Sequence, residues 1–163
     1  MKKMSMENER EFDELASYVG FYATNVWNVP YDPPTHPSRF LIQGKFTKSQ
    51  LLVGLRQAAN DTVDDSARYS PEQVAELDRQ CVTANVLTLS EVRRRYSRQY
   101  KAILKKQRIT TETDYYLVVG ILCDTTNSVN AEDRRVLEWL VMAYEKNVGL
   151  DETEKQAGDD TNV

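Results

Sequence analysis

The chain has 163 residues, of which 40% are hydrophobic and 28% charged, and its formal net charge is −4. This length and composition are typical of a soluble globular protein with a sizeable core, and they exclude a largely disordered chain. The longest apolar run, residues 115–123, is far shorter than the ~20 residues that a membrane-spanning helix needs, so no membrane contact is expected.

The first predicted helix covers residues 6–27, where apolar side chains recur at helical spacing and form one stripe: Phe12, Leu15, Val19, Tyr22 and Val26. Two lysines precede it but no apolar run follows them, so no secretory signal is predicted and we expect a cytoplasmic protein. Residues 29–46 come next, with four prolines between positions 30 and 37. Because proline disfavours helix interiors, this segment is predicted to be a Pro-rich extended arm.

The next three helices are predicted from their start signals. Each begins with a capping box, in which Ser or Thr is followed three residues later by Glu or Gln and each side chain bonds the other residue's backbone N–H. The boxes occupy residues 47–50, 70–73 and 88–91, and they start predicted helices over 48–60, 71–84 and 89–108. An apolar residue before the cap, such as Phe46 facing Leu51, strengthens two of these starts.

Residues 112–123 allow two interpretations. Their aromatic and β-branched side chains suit a buried strand, whereas the acidic first turn after Thr111 favours a helix. A helix is predicted because the chain offers no clear strand to pair with them. A last helix is predicted over 131–148 with a stop at Gly149, and the acidic residues 151–163 are predicted to be a disordered tail.

Together these elements predict an all-α fold. We expect a single-domain bundle of about five to six helices over residues 1–150, with the Pro-rich arm at 29–46 inside it.

A basic segment interrupts an otherwise acidic chain. Residues 91–108 contain eight basic side chains and one acidic one, a net charge of +7, which leaves −11 for the rest. On one continuous helix, five of these cations share a face opposite the apolar side chains: Arg94, Arg98, Lys101, Lys105 and Arg108. Like charges at this spacing repel each other, and surfaces that only confer solubility usually mix both signs. The stripe is therefore the candidate partner-binding site.

Three interpretations of this stripe stay open. It is solvated or paired internally with the acidic N-terminal helix or tail, or it binds an acidic protein, or it binds nucleic acid. The negative net charge disfavours association with phosphates. Tyr96 and Tyr100 alternate with the arginines in sequence as base-stacking residues do. Helical spacing nevertheless puts both on the apolar face, which predicts core positions.

No residue pattern marks a catalytic, cofactor or metal site. His36 is the single histidine, and no neighbouring residue marks it as a general base or a metal ligand. Cys81 and Cys123 lie in apolar patterns and are predicted to be buried free thiols. The aspartates of residues 60–66 lack the glycine and glutamate of a calcium loop, so a helix-terminating loop is predicted. Trp139 is expected in or partly in the core, although tryptophan also marks interaction surfaces.

These observations predict a non-enzymatic cytoplasmic protein that binds a protein partner. It would be a regulator, an adaptor or an immunity-like protein of bacterial type that neutralises a toxin, and a basic partner would instead meet the acidic flanks. The alternative is a nucleic-acid-binding protein that uses the basic helix 91–108 against phosphates. An enzyme ranks third because no catalytic, cofactor or metal-binding residues are predicted. The partner's identity and the oligomeric state are left open.

Overall fold

The fold is known from a computed structural model, which describes residues 4–31, 36–123 and 129–159. Within these ranges the protein consists of eight α-helices and no strand, which confirms the predicted all-α fold. The chain divides into two compact units, Met1–Ser97 (unit 1) and Arg98–Val163 (unit 2). Each unit has its own hydrophobic core, and the single domain over residues 1–150 remains a prediction. No helix in the described ranges combines the length and apolar content needed to cross a bilayer.

The described residues of unit 1 form five helices: α1 (Met6–Asn25), α2 (Pro37–Ile42), α3 (Lys48–Asp65), α4 (Pro71–Thr83) and α5 (Leu89–Tyr96). The predicted helix starts are confirmed. Thr47 and Ser70 form complete capping boxes at α3 and α4. At α5 the hydroxyl of Thr88 accepts from the backbone N–H of Glu91, while the Glu91 carboxylate binds arginines.

The core of unit 1 forms where the predicted stripe of α1 packs beside α3. Leu15, Val19 and Tyr22 of α1 are fully buried, and Leu52 and Leu55 of α3 lie in the same cluster. Burying one such side chain stabilises the fold by about 1.5–3 kcal/mol. The helical periodicity of the first segment therefore identified its buried face correctly.

Helix α3 continues to Asp65, past the predicted end at residue 60. The aspartate-rich residues predicted as a loop thus form its last turns. The reason is tertiary: Thr62 and Val63 are buried within unit 1, and the Thr62 hydroxyl lies 2.9 Å from the hydroxyl of Tyr18 on α1. Burial of this face outweighs the low helix propensity of Asn, Asp and Thr.

The Pro-rich segment is not wholly an extended arm. Pro37–Ile42 form the short helix α2, with Pro37 at its first position and the His36 side chain as its N-cap. Proline is well tolerated there because its missing N–H would have no partner in the first turn. Residues 32–35 of the predicted arm lie outside the described residues.

The predicted helix over 89–108 is two helices. Ser97 separates α5 from α6 with an extended backbone, φ −66° and ψ 116°, and its N–H still bonds the carbonyl of Arg93. Serine is favoured directly before a helix, where its side chain competes with the backbone for hydrogen bonds. A new helix therefore begins at Arg98, directly after this serine, and the continuous periodicity of 89–108 does not reveal the break.

In unit 2, three helices lie within the described ranges: α6 (Arg98–Lys106), α7 (Glu112–Leu122) and α8 (Ala131–Asp159). The helical interpretation of 112–123 is confirmed, and the Thr111 hydroxyl caps α7 by accepting from the N–H of Asp114. The core takes buried side chains from all three helices: Tyr100, Ile103, Leu117, Val118, Ile121, Leu137 and Leu140.

Helix α8 does not stop at Gly149. It runs to Asp159, so residues 151–159 of the predicted disordered tail are helical, and residues 160–163 lie outside the described residues. An internal glycine costs a helix only about 1 kcal/mol relative to alanine. The Glu, Lys, Gln and Ala residues that follow are strong helix formers, which favours continuation.

Candidate functional site

The cations of the basic segment fall into two groups, one on each side of Ser97. On α5, Arg94 donates to both carboxylate oxygens of Glu91, at 3.1 and 2.5 Å. Arg95 donates to Glu91 at 2.5 Å and to Glu14 of α1 at 2.8 Å. The charge of Arg94, a predicted site residue, is thus matched inside unit 1. On α5, Arg94 and Arg95 are therefore paired internally with carboxylates of unit 1. One of these carboxylates, Glu14, comes from the N-terminal helix.

Arg93 has a structural role in unit 1. Its side chain is buried, and Nη2 donates to the carbonyl oxygen of Ser66 at 2.5 Å and to its hydroxyl at 3.1 Å. Burial lowers the pKa of Arg93, and the nearby Asp78 opposes that shift. Because Ser66 is the C-cap of α3, Arg93 supplies a donor where the helix leaves carbonyl groups unpaired.

The cations after Ser97 are arranged differently. Arg98, Lys101 and Lys105 are exposed along one side of α6, opposite the buried Tyr100 and Ile103. We call these three residues the α6 cationic face. The predicted fifth member, Arg108, is also exposed but follows the end of α6, beyond Gln107 with its left-handed φ of 53°. Three of the five predicted site residues therefore share one helix face.

No carboxylate in the described part of unit 2 lies within 4.0 Å of Arg98, Lys101, Lys105 or Arg108. Asp114, a partly buried carboxylate of unit 2, is engaged elsewhere: it accepts from Gln99 at 2.5 Å and from Thr110 at 3.1 Å. Each like-charged pair at this helical spacing costs a few tenths of a kcal/mol. The negative end of the α6 helix dipole lies at its C-terminus and stabilises Lys105. It does not stabilise Arg98, which is the first residue of the helix.

The tyrosines beside these cations are not available for base stacking. Tyr100 is buried, as predicted, and Tyr96 is half-buried with its hydroxyl donating to Glu11 at 2.9 Å. Burial and that carboxylate raise the pKa of Tyr96, which keeps the hydroxyl protonated. The α6 cationic face thus offers charge and hydrogen-bond donors without an exposed aromatic ring.

His36 lies at the buried start of α2. Its Nδ1 accepts from the backbone N–H of Ser38 at 3.3 Å, so Nε2 carries the proton and donates to Thr24 at 3.0 Å. Nδ1 therefore caps α2, and Nε2 connects this cap to α1. In the described ranges, no group of three or more His, Cys, Asp or Glu side chains is arranged to hold a metal ion.

Three further sequence-based expectations have mixed outcomes. Cys81 and Cys123 are both free thiols, as predicted, but only Cys81 is buried. Trp139 is 59% exposed on α8, so its predicted place in or partly in the core is wrong. The side chains at positions 136, 137, 140, 141 and 144 fill the inner face of α8, which leaves Trp139 on the other side.

Unit 1 contains an apolar groove that was not predicted from the sequence. Its volume is about 320 Å³, and it is lined by Val19 of α1, by Pro37 and Leu41 of α2, and by Leu51 and Leu55 of α3. The predicted contact between Phe46 and Leu51 indicated part of this groove, because both residues belong to its lining. The groove was not foreseen because its α2 wall lies inside the segment predicted to be extended.

Comparison of this chain with models of known protein families, with curated proteins and with solved structures gave no match.

Proposed function

We propose that this is a non-enzymatic regulatory protein that binds an acidic surface of a partner protein through the α6 cationic face. Such a protein would be an adaptor or an immunity-like, toxin-neutralising protein of bacterial type. One observation carries the proposal. Arg94 and Arg95 of α5 are matched by carboxylates inside unit 1, whereas Arg98, Lys101 and Lys105 are exposed with no carboxylate beside them in the described part of unit 2.

An acidic partner would remove the repulsion within this face. From Arg98 to Lys105 the helix rises about 10 Å, so the three cations cover a compact patch that a few carboxylates can match. Arg98 can form a bidentate pair with a carboxylate, and the two lysines act as point charges. Charges of this kind mainly speed association and select the partner, so binding should weaken with added salt.

We place this activity in the cytoplasm. The two free cysteines of the described residues support a reducing compartment, where thiols stay unpaired.

The test uses two charge-matched variants. The face variant carries Arg98→Glu, Lys101→Glu and Lys105→Glu, and the control carries Arg68→Glu, Arg135→Glu and Lys146→Glu at other exposed cations. Both change the net charge equally. A partner captured from cell extract and then purified should bind the wild-type protein and the control alike, and the face variant at least tenfold more weakly. Equal affinity for all three proteins would refute the proposal.

A second measurement distinguishes the nucleic-acid-binding alternative from the protein-partner proposal. Fluorescence anisotropy with short DNA and RNA is compared at about 50 and 200 mM salt. If three cations contact phosphates, affinity should fall about 40-fold between these concentrations and be lost in the face variant. That result would make the protein a nucleic-acid binder and overturn the protein-partner proposal. Absence of binding at the lower concentration is the outcome we expect.

A further inference from the structure

The apolar groove of unit 1 has the dimensions of a binding site for side chains. Its volume of about 320 Å³ is roughly twice the 150 Å³ of an engineered cavity that admits benzene, so two or three large apolar groups would fill it. Gln50 supplies the polar part of the lining. Its Oε1 already accepts from the backbone N–H and the hydroxyl of Thr47, at 2.9 and 3.1 Å.

The surface around the groove indicates a large occupant. Phe46 lines the groove and is 51% exposed, and Ile42, next to the lining residue Leu41, is 69% exposed. A small molecule that filled the cavity would contact Phe46 but would leave Ile42, which is outside the lining, in water. A helix, about 10 Å across with its side chains, would cover the groove and these neighbours together.

The α3 wall of the groove permits close approach of a helix. Gly54 and Ala58 lie one turn apart in the lining, and a Cβ added to Gly54 would meet no atom within 4 Å. The lining on α3 extends from Gln50 to Ala58, which is about 12 Å or two turns. That length matches apolar anchors at positions i, i+4 and i+7 of a bound helix.

Charge complementarity sets the chemistry and direction of this occupant. Lys45 precedes Phe46, Lys48 lies in the first turn of α3, and both are exposed. Asp61, one turn beyond Ala58, gives the other end of the α3 wall the opposite sign. We propose that the groove binds an amphipathic α-helix of a partner protein, with its acidic residues at the end beside Lys45 and Lys48. This site is independent of the α6 cationic face.

Two substitutions of one residue provide the test. Gly54→Leu places a side chain in the groove, and Gly54→Ala adds only a methyl group to open space. Both replace glycine inside a helix and so should fold at least as stably as the wild type. A difference in binding affinity between the two variants therefore reports blockage of the groove and not loss of the fold.

The probe is a phage-displayed library of helical peptides of about 16 residues, selected on the wild-type protein and depleted on Gly54→Leu. Enriched peptides should carry Leu, Ile or Phe at i, i+4 and i+7, and Asp or Glu at one end. In anisotropy, the affinity of a labelled enriched peptide should stay within about twofold for Gly54→Ala and fall at least tenfold for Gly54→Leu. Lys45→Glu should weaken binding about two- to fivefold, and a peptide with lysines replacing its acidic residues should bind this variant better.

Several outcomes would overturn the proposal. These are no enrichment over the Gly54→Leu protein, equal affinity for both Gly54 variants, or enriched peptides without the apolar spacing. Binding of decanoate instead of peptides would assign the groove to a small ligand. Self-association in sedimentation velocity that Gly54→Leu abolishes would assign it to a second copy of the chain. The variant with a reversed α6 cationic face should bind the peptide normally, so failure of one proposal leaves the other testable.

Discussion

Tyr18 of α1 and Thr62 of α3 are joined by a hydrogen bond between two hydroxyl groups 2.9 Å apart, and both residues are fully buried. The Thr62 hydroxyl donates to the carbonyl of Ala59 at 2.7 Å. It follows that Tyr18 donates and Thr62 accepts. Burial raises the pKa of Tyr18, so the phenol remains a protonated donor across the accessible pH range. The roles of the two hydroxyls are therefore unequal, and so should be the costs of removing them.

The asymmetry can be expressed as free energies of unfolding. Tyr18→Phe removes a donor but leaves the Thr62 hydroxyl bonded to Ala59, and we expect a cost of about 1 kcal/mol. Thr62→Val leaves the Tyr18 hydroxyl buried without an acceptor, which should cost about 2 kcal/mol, within the usual 1–3 kcal/mol. The double variant leaves no unpaired hydroxyl, so its cost should be smaller than the sum of the single costs by about 1–2 kcal/mol.

Urea unfolding followed by the fluorescence of Trp27 measures these costs. Trp27 packs edge-on against Tyr22, 5.1 Å between ring centroids, and so reports on unit 1. A Trp139→Phe background removes the other tryptophan, which is exposed in unit 2. The slope of free energy against urea should be unchanged among the four proteins. Additive costs, or a Thr62→Val variant as stable as Tyr18→Phe, would refute the assigned hydrogen-bond direction.

Three other predictions address separate parts of the protein. Hydrogen bonds from Arg56 hold the pKa of Glu11 below its ordinary 4.5. Because the pair is solvent-exposed, the wild type should be more stable than Glu11→Gln by only about 0.5 kcal/mol at neutral pH, and this difference should shrink as pH falls below 4.5. A pH-independent difference in urea unfolding would contradict this. Burial raises the pKa of Cys81 to about 12. A thiol reagent at pH 8 should therefore react only with the exposed Cys123 in the native protein, and with both thiols in urea. Two reactive thiols without urea would show that Cys81 is accessible. Leu140→Ala should destabilise unit 2 by about 2–5 kcal/mol in thermal unfolding followed by circular dichroism, whereas a loss below 1 kcal/mol would mean that the site is not in a packed core.

Helix starts were predictable because their signals are local. The boxes at Thr47 and Ser70 involve residues three positions apart, and the energy of each cap depends on little else. Helix ends were less predictable because burial and propensity compete. Thr62, buried in the core of unit 1, keeps α3 helical past residue 60, and strong helix formers carry α8 past Gly149.

The candidate site was predictable only in part. The spacing of Arg98, Lys101 and Lys105 follows the period of one short helix, so their common face was evident from the sequence. Arg94 has the same spacing, yet its charge is matched by Glu91, and Arg108 lies outside the helix altogether. Periodicity finds which residues can share a face, but it does not find where a helix is interrupted or which cation has a partner.

The sequence by itself determined the helical class, the positions where most helices begin and the inner face of α1, because these depend on neighbours within about two turns. Tertiary structure decided the rest. Arg95 pairs with Glu14 across 81 positions of the chain, and the apolar groove needs walls from three helices at once. Contacts of this kind depend on how the helices pack, and no pattern within one segment records that packing.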